Sequence, residues 1–205
     1  MNVKLIQQTE NPIETISKIA SICYDSNPAD PMKLVKHLYK NGHHSVFEHI
    51  YFTFKIEGIS RACSHQLVRH RMCSFTQRSQ RYCSESEFEV VLPPSINESV
   101  AYEDYNSTML DIRQGYVDIT HLNIPNEDAR YILPNACCTD LYLSCNLREL
   151  IHIANERLCS KAQWEIRELV QKMVALVEPK LQFMLVPKCM SGRIICHTPC
   201  KKEVK

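Results

Sequence analysis

Residues 50–81 read IYFTFKIEGISRACSHQLVRHRMCSFTQRSQR. The aromatic, alternating stretch 50–57 predicts a strand. Gly58 punctuates it, and 60–71, with Ala62, Leu67 and Val68 at apolar positions, predicts a helix. The polar stretch 72–84 reads as a loop. Upstream, Asn11-Pro12 opens a helix carried by Ile13, Ile16, Ile19, Ala20 and Cys23. Asp30-Pro31 opens a second, faced by Leu34, Val35 and Leu38 and stopped at Gly42. Downstream, 90–92 reads as a short strand before Pro93-Pro94, and 97–121 as a long polar helix weakened by Gly115. A short helix over 127–133 ends at Pro134, 139–145 suits a strand, and 147–158 and 161–177 read as helices. The expectation is a single α+β domain over 1–205, with a small central antiparallel or mixed sheet flanked by helices and a C-terminal tail from about residue 187.

The composition is that of an ordinary globular protein: 205 residues, 44% hydrophobic, 23% charged, net charge +1. No apolar run approaches the roughly 18 residues of a membrane helix. The first twelve residues lack a secretion-signal pattern, since Asn2, Gln7, Gln8 and Glu10 interrupt them. A cytoplasmic protein is expected. Eleven cysteines, an odd number scattered in contexts such as Ile22-Cys23-Tyr24 and Ala136-Cys137-Cys138, then read as buried small hydrophobes rather than a disulfide framework.

The loop at 69–81 carries the chemistry. No acid occurs between Glu57 and Glu85, yet Arg61, Arg69, Arg71, Arg78 and Arg81 all fall there, with His65 and His70. Guanidinium groups fork onto phosphate oxygens, and the interleaved Ser, Thr and Gln side chains can complete such a cradle. Only four glycines exist, none close to another, so both the GxGxxG turn and the GxxxxGK[ST] loop are absent. Side chains must therefore hold any phosphate. A nucleic-acid-binding module using this loop is the alternative, but only Phe75 and Tyr82 interleave as aromatics and the pI is near 7.6.

Three further clusters stand out. On the helix from 147, Leu147, Leu150, Ile151, Ala154 and Leu158 form the apolar stripe, while Arg148 and His152, four apart, share the other side with Asn146 and Arg157 nearby. His43, His44 and His49 with Glu48 invite a metal, but they lack the i, i+4 spacing of a helical site. Cys189, Cys196, His197 and Cys200 form only one loosely spaced cysteine pair where a structural zinc site has two tight ones. No metal is expected at either cluster.

The frame RHR-x-x-S-x-N-x-x-S-x-R, met here by Arg69-His70-Arg71, Ser74, Thr76 in place of Asn, Ser79 and Arg81, resembles the signature of the flavin-dependent thymidylate synthases, the ThyX family. The stretch from His43 to Phe54, Ala129-Arg130-Tyr131-Ile132-Leu133-Pro134, and the region from Asn146 to Ile166 with Ala162-Gln163-Trp164-Glu165-Ile166 are similar to it too. The resemblance implies a methyltransferase that binds FAD, takes electrons from NADPH and moves a methylene group from methylenetetrahydrofolate to dUMP. The reduced flavin completes the methyl group, giving dTMP and tetrahydrofolate.

The same resemblance assigns residues. Ser45, Arg69, His70, Arg71, Asn146, Arg148 and His152 match positions that hold FAD. Gln66, Ser79, Gln80, Arg81 and Arg130 match positions that hold dUMP. Gln77 stands where family members contact both ligands, often through Glu, and Arg69 also belongs on both sides. Arg157 matches the arginine that contacts the pyrimidine and polarises it, a role suited to a permanent cation beside developing negative charge. His43 and Tyr82 match positions on the folate and flavin side. A homotetramer with shared sites is implied, and large ligand sites do favour interfaces.

Overall fold

The computed structural model describes residues 1–192 together with Cys196, His197, Pro199 and Cys200. The rest of the tail, including 201–205, lies outside the described residues. The elements in chain order are β1 (Asn2–Gln8), α1 (Pro12–Ser21), α2 (Pro31–Lys40), β2 (Tyr51–Ser60), α3 (Arg61–Leu67), β3 (Ser74–Gln77), α4 (Pro94–Asn97), α5 (Tyr102–His121), α6 (Asn126–Ala129), β4 (Cys138–Asn146), α7 (Leu147–Arg157) and α8 (Trp164–Leu176). Short 3₁₀ turns occupy Ser45–His49 and Arg130–Ile132. The strands pair as an antiparallel sheet in the order β1-β2-β4-β3. The α+β expectation holds.

Both edge strands went unread in the sequence, and their burial explains why. β1 alternates between exposed and half-buried positions with no fully buried residue, and β3 does the same over four residues. Edge strands without a fully buried face carry little hydrophobic signal. Conversely, the strand expected at 90–92 reduces to a single bridge between Val90 and Cys137. Pro93 and Pro94 follow at once and have no N–H to extend it. β2 continues through Gly58, which takes φ +68 and donates its N–H to the Asp140 carboxylate at 2.9 Å.

Helix ends also moved. Asp30 caps α2 by accepting from the Lys33 N–H, whereas Asn11 sits in the left-handed region and makes no side-chain cap. α5 begins at Tyr102, after the separate turn α4, and runs through Gly115 unbroken. α3 stops at Leu67 rather than at 71. A turn closed by the Cys73 N–H on the His70 carbonyl follows. That turn leaves His70 buried while Arg69 and Arg71 face solvent.

The chain divides into two compact units. One comprises Met1–Asn2, Ile56–Leu67 and Thr76–Leu141. Its core includes Ile56, Ile59, Leu67, Cys137 and the fully buried Tyr116 of α5. The Tyr116 hydroxyl accepts from the Glu85 N–H and donates to Asn126 Oδ1. The other comprises Val3–Lys55, Val68–Phe75 and Tyr142–Lys205. There α1 packs on α2 and α7 on α8. Its core includes Ile16, Val35, Phe47, Phe52, Phe54, Leu147, Leu150 and Leu169, each worth roughly 1.5–3 kcal/mol when fully buried.

Candidate active site

In the second unit, the start of α7 builds a cleft. Asn146 caps the helix, its Oδ1 accepting the Glu149 N–H at 2.9 Å. Asn at the cap with Glu three residues on is a helix-start pattern, and it fixes which way the first turn faces. A cleft of about 580 Å³ is lined by Glu48, Asn146, Arg148, Glu149, His152 and Asn155, among others. Arg148 pairs with Glu48, both half-exposed. Asn155 is buried, and its Oδ1 has no hydrogen-bond partner among the described residues. A buried acceptor left unpaired costs about 1–3 kcal/mol, so it favours a ligand that brings an N–H or O–H donor.

Behind this cleft lies a chain of three side chains. Arg157 Nε donates to His70 Nε2 at 3.0 Å, and His70 Nδ1 lies 3.6 Å from Glu149 Oε1. The His152 ring meets His70 edge-on, with centroids 5.5 Å apart. Burial lowers the His70 pKa to about 4, and the charges of Arg157 and His152 add to the shift. The imidazole is therefore neutral near pH 7 and can accept from the guanidinium. Burial raises the Glu149 carboxyl above its usual range.

His70, Glu149 and His152 each offer a ligand atom within 4.8 Å of the others. A cation is disfavoured there because Arg157 already uses His70 Nε2 and adds a fixed positive charge. At the other histidine cluster, the His44 ring packs against Tyr39 and Phe47, which gives it a structural place.

The first unit holds the other predicted residues. Arg81 forks onto the Glu127 carboxylate through Nε at 2.9 Å and Nη2 at 2.8 Å, with both side chains about half exposed. Arg130 Nε donates to the Glu127 carbonyl at 3.0 Å, so two arginines gather at one acidic residue. Glu127 raises the Arg81 pKa through that hydrogen bond. Ser79 Oγ accepts the Arg81 N–H. Gln80 is buried, its Nε2 3.7 Å from Cys137 Sγ. Gln77 Nε2 is committed to Ser64 and Thr139, each at 3.1 Å. Tyr82 is exposed beneath the Arg81 guanidinium.

Asn146, Arg148 and His152 thus share one cleft, and His70 and Arg157 join them through hydrogen bonds and ring contact. His43, Ser45, Arg69 and Arg71 are exposed and are not part of its lining. Gln66 sits on α3, half-buried. Sequence reasoning passed over Glu127, Glu149 and Asn155. Only the capping pattern marked Glu149, and it marks a helix start rather than a site.

A family model described as "Thymidylate synthase complementing protein" matches residues 4–181. The chain belongs to this family. Among its relatives, a flavin-dependent thymidylate synthase of Geobacter sulfurreducens is 38% identical, over 94% of this chain and 90% of its own. One of Clostridium tetani is 35% identical, over 94% and 89% respectively. One of Pyrococcus furiosus is 41% identical, over 85% and 78%.

Proposed function

We propose that this protein is a flavin-dependent thymidylate synthase, a methyltransferase that forms dTMP from dUMP with methylenetetrahydrofolate as carbon donor. Bound FAD, reduced by NADPH, supplies the hydride that completes the methyl group. One observation carries the reading beyond family membership: Arg157 is held by a buried, neutral imidazole that belongs to the arginine loop itself. A neutral partner orients the guanidinium without cancelling its charge, which suits a contact to a substrate.

The cofactor-side cleft fits a polar ligand, since Arg148 and His152 stand on its wall and Asn155 brings an unpaired acceptor. Ser45, Arg69, His70, Arg71, Gln77, Asn146, Arg148 and His152 are assigned to FAD. Gln66, Arg69, Gln77, Ser79, Gln80, Arg81 and Arg130 are assigned to dUMP, with Arg81 and Arg130 taking the phosphate, whose place against Arg81 the Glu127 carboxylate now holds. Arg157 polarises the pyrimidine, favouring negative charge on its oxygens as the ring carbon becomes nucleophilic. His43 and Tyr82 face folate or flavin. The active form is a homotetramer with shared sites, working in the cytoplasm. A nucleic-acid role is less well supported, because Arg78 and Arg81 are tied to Glu85 and Glu127 rather than forming an open basic face.

The deciding experiment is an absorbance spectrum of purified protein, followed by NADPH oxidation with and without dUMP and folate. A yellow protein that makes dTMP only with all substrates is expected. A colourless protein with no dTMP after FAD is added would end the reading.

A further inference from the structure

Four cysteines gather at the tail, three of them beyond the family match. Burial accounts for Cys63, Cys137 and Cys145 as small hydrophobes, and burial pushes the Cys137 thiol up to about 11. Cys159, Cys189, Cys196 and Cys200 do not fit that description, since each keeps intermediate exposure. Cys159 lies in the turn after α7; the other three come from the segment beyond residue 181, where the family model stops.

Two of the four sulfurs stand at ligand spacing, and the others line the cavity beside them. Cys200 Sγ lies 3.7 Å from Cys159 Sγ. A tetrahedron with Zn–S bonds of about 2.3 Å has edges of about 3.8 Å, so these two sulfurs already stand at ligand spacing. Cys159, Cys189 and Cys196 line one small cavity of about 260 Å³. The Ser160 N–H donates to Cys200 Sγ at 3.2 Å, the kind of backbone bond that steadies a metal-bound thiolate. Lys161 lines the same cavity and offsets part of the negative charge of a four-thiolate centre, while Lys188, also in its lining, faces Glu156 at 4.0 Å.

We propose that Cys159, Cys189, Cys196 and Cys200 bind one structural Zn²⁺ ion. Each thiol gives its proton to solvent as the ion binds, and no electrons move. All four positions are filled by sulfur, which leaves no open site for catalysis. The centre positions rather than reacts: it joins the tail to the turn that starts two residues after Arg157. That turn is also held by the Ala162 N–H on the Cys159 carbonyl and by Arg167 on the Ser160 carbonyl. Spacing along the tail argued against zinc because one ligand lies thirty residues upstream of the other three.

The test uses the full chain, purified under reducing conditions in its flavin-loaded form, with metals measured by plasma mass spectrometry. About one zinc per chain is expected. Cys159→Ser and Cys200→Ser should each lose it, while exposed Cys23→Ser keeps it. If the two variants fold poorly, titrating the wild-type protein with a mercurial while following zinc release with a chromogenic chelator gives the same answer. About one zinc should then be released, over and above the thiols of exposed Cys23 and the other accessible cysteines that react without releasing metal. No zinc after reconstitution with ZnCl₂, zinc retained in both variants, iron in its place, or a Cys159–Cys200 disulfide in the native enzyme would each overturn the proposal. None of these readouts depends on dTMP formation, so the site stands or falls apart from the catalytic reading.

Discussion

Arg157 and Arg81 carry the same guanidinium but have opposite kinds of partner. Arg157 donates to an imidazole that is 5% exposed and neutral near pH 7. Arg81 forks onto a carboxylate in an exposed pair. A neutral, buried partner fixes direction and does not itself cancel the charge. An exposed carboxylate compensates the charge but is weakly held, and it occupies the geometry a phosphate would take. The first arrangement suits charge developing in a reaction; the second suits a phosphate that must bind and leave.

The largest effect should come from Arg157→Ala. Dropping one preorganised charge contact costs about 10²–10³ in turnover, so dTMP formation should fall by that factor while the flavin-to-protein ratio stays near wild type. Near-normal turnover would erase the distinction between the two arginines.

Next comes pH. His70 has a folded pKa of about 4, below its unfolded value of 6.5. A depressed pKa contributes stability that is present above 6.5 and lost as pH falls through about 4. Protonation also removes the acceptor that holds Arg157. Thermal melts from pH 7 to 4 should show stability falling from about pH 6.5, where the unfolded imidazole takes up its proton, and levelling off near pH 4; a profile flat across that window in which His70→Asn behaves like wild type would break the assignment.

Arg81→Ala tests the other member of the pair. The KM for dUMP should rise about tenfold with little change in flavin content, as for lost ground-state binding. Glu127→Gln is the subtlest. Removing the competing carboxylate should lower the KM for dUMP by about two- to threefold, in line with the small worth of an exposed pair. A raised KM would instead give Glu127 a part in holding substrate.

Much of the fold was legible because buried strands and helices repeat apolar residues at a fixed period. β2, with Phe52, Phe54 and Ile56 buried in alternation, and α7, with Leu147, Leu150 and Ile151, announce themselves. β1 and β3 do not, since each buries no residue completely. The site divided along the same line. Asn146, Arg148, His152 and Arg157 share one helix and could be grouped by spacing alone. Glu127 lies 46 residues from Arg81, and Cys159 lies 41 from Cys200. No periodicity links such pairs.

The chain alone thus determined the residue types: arginines where glycine-rich phosphate loops are missing, and an apolar-striped helix carrying Arg148 and Arg157. Local backbone physics acts on neighbours three or four residues apart, and that much is written in order along the chain. Only the tertiary structure decided which charge meets which partner. Contacts across dozens of residues depend on the packing of whole elements, and packing set His70 neutral behind Arg157, Glu127 beside Arg81, and Cys159 against the tail.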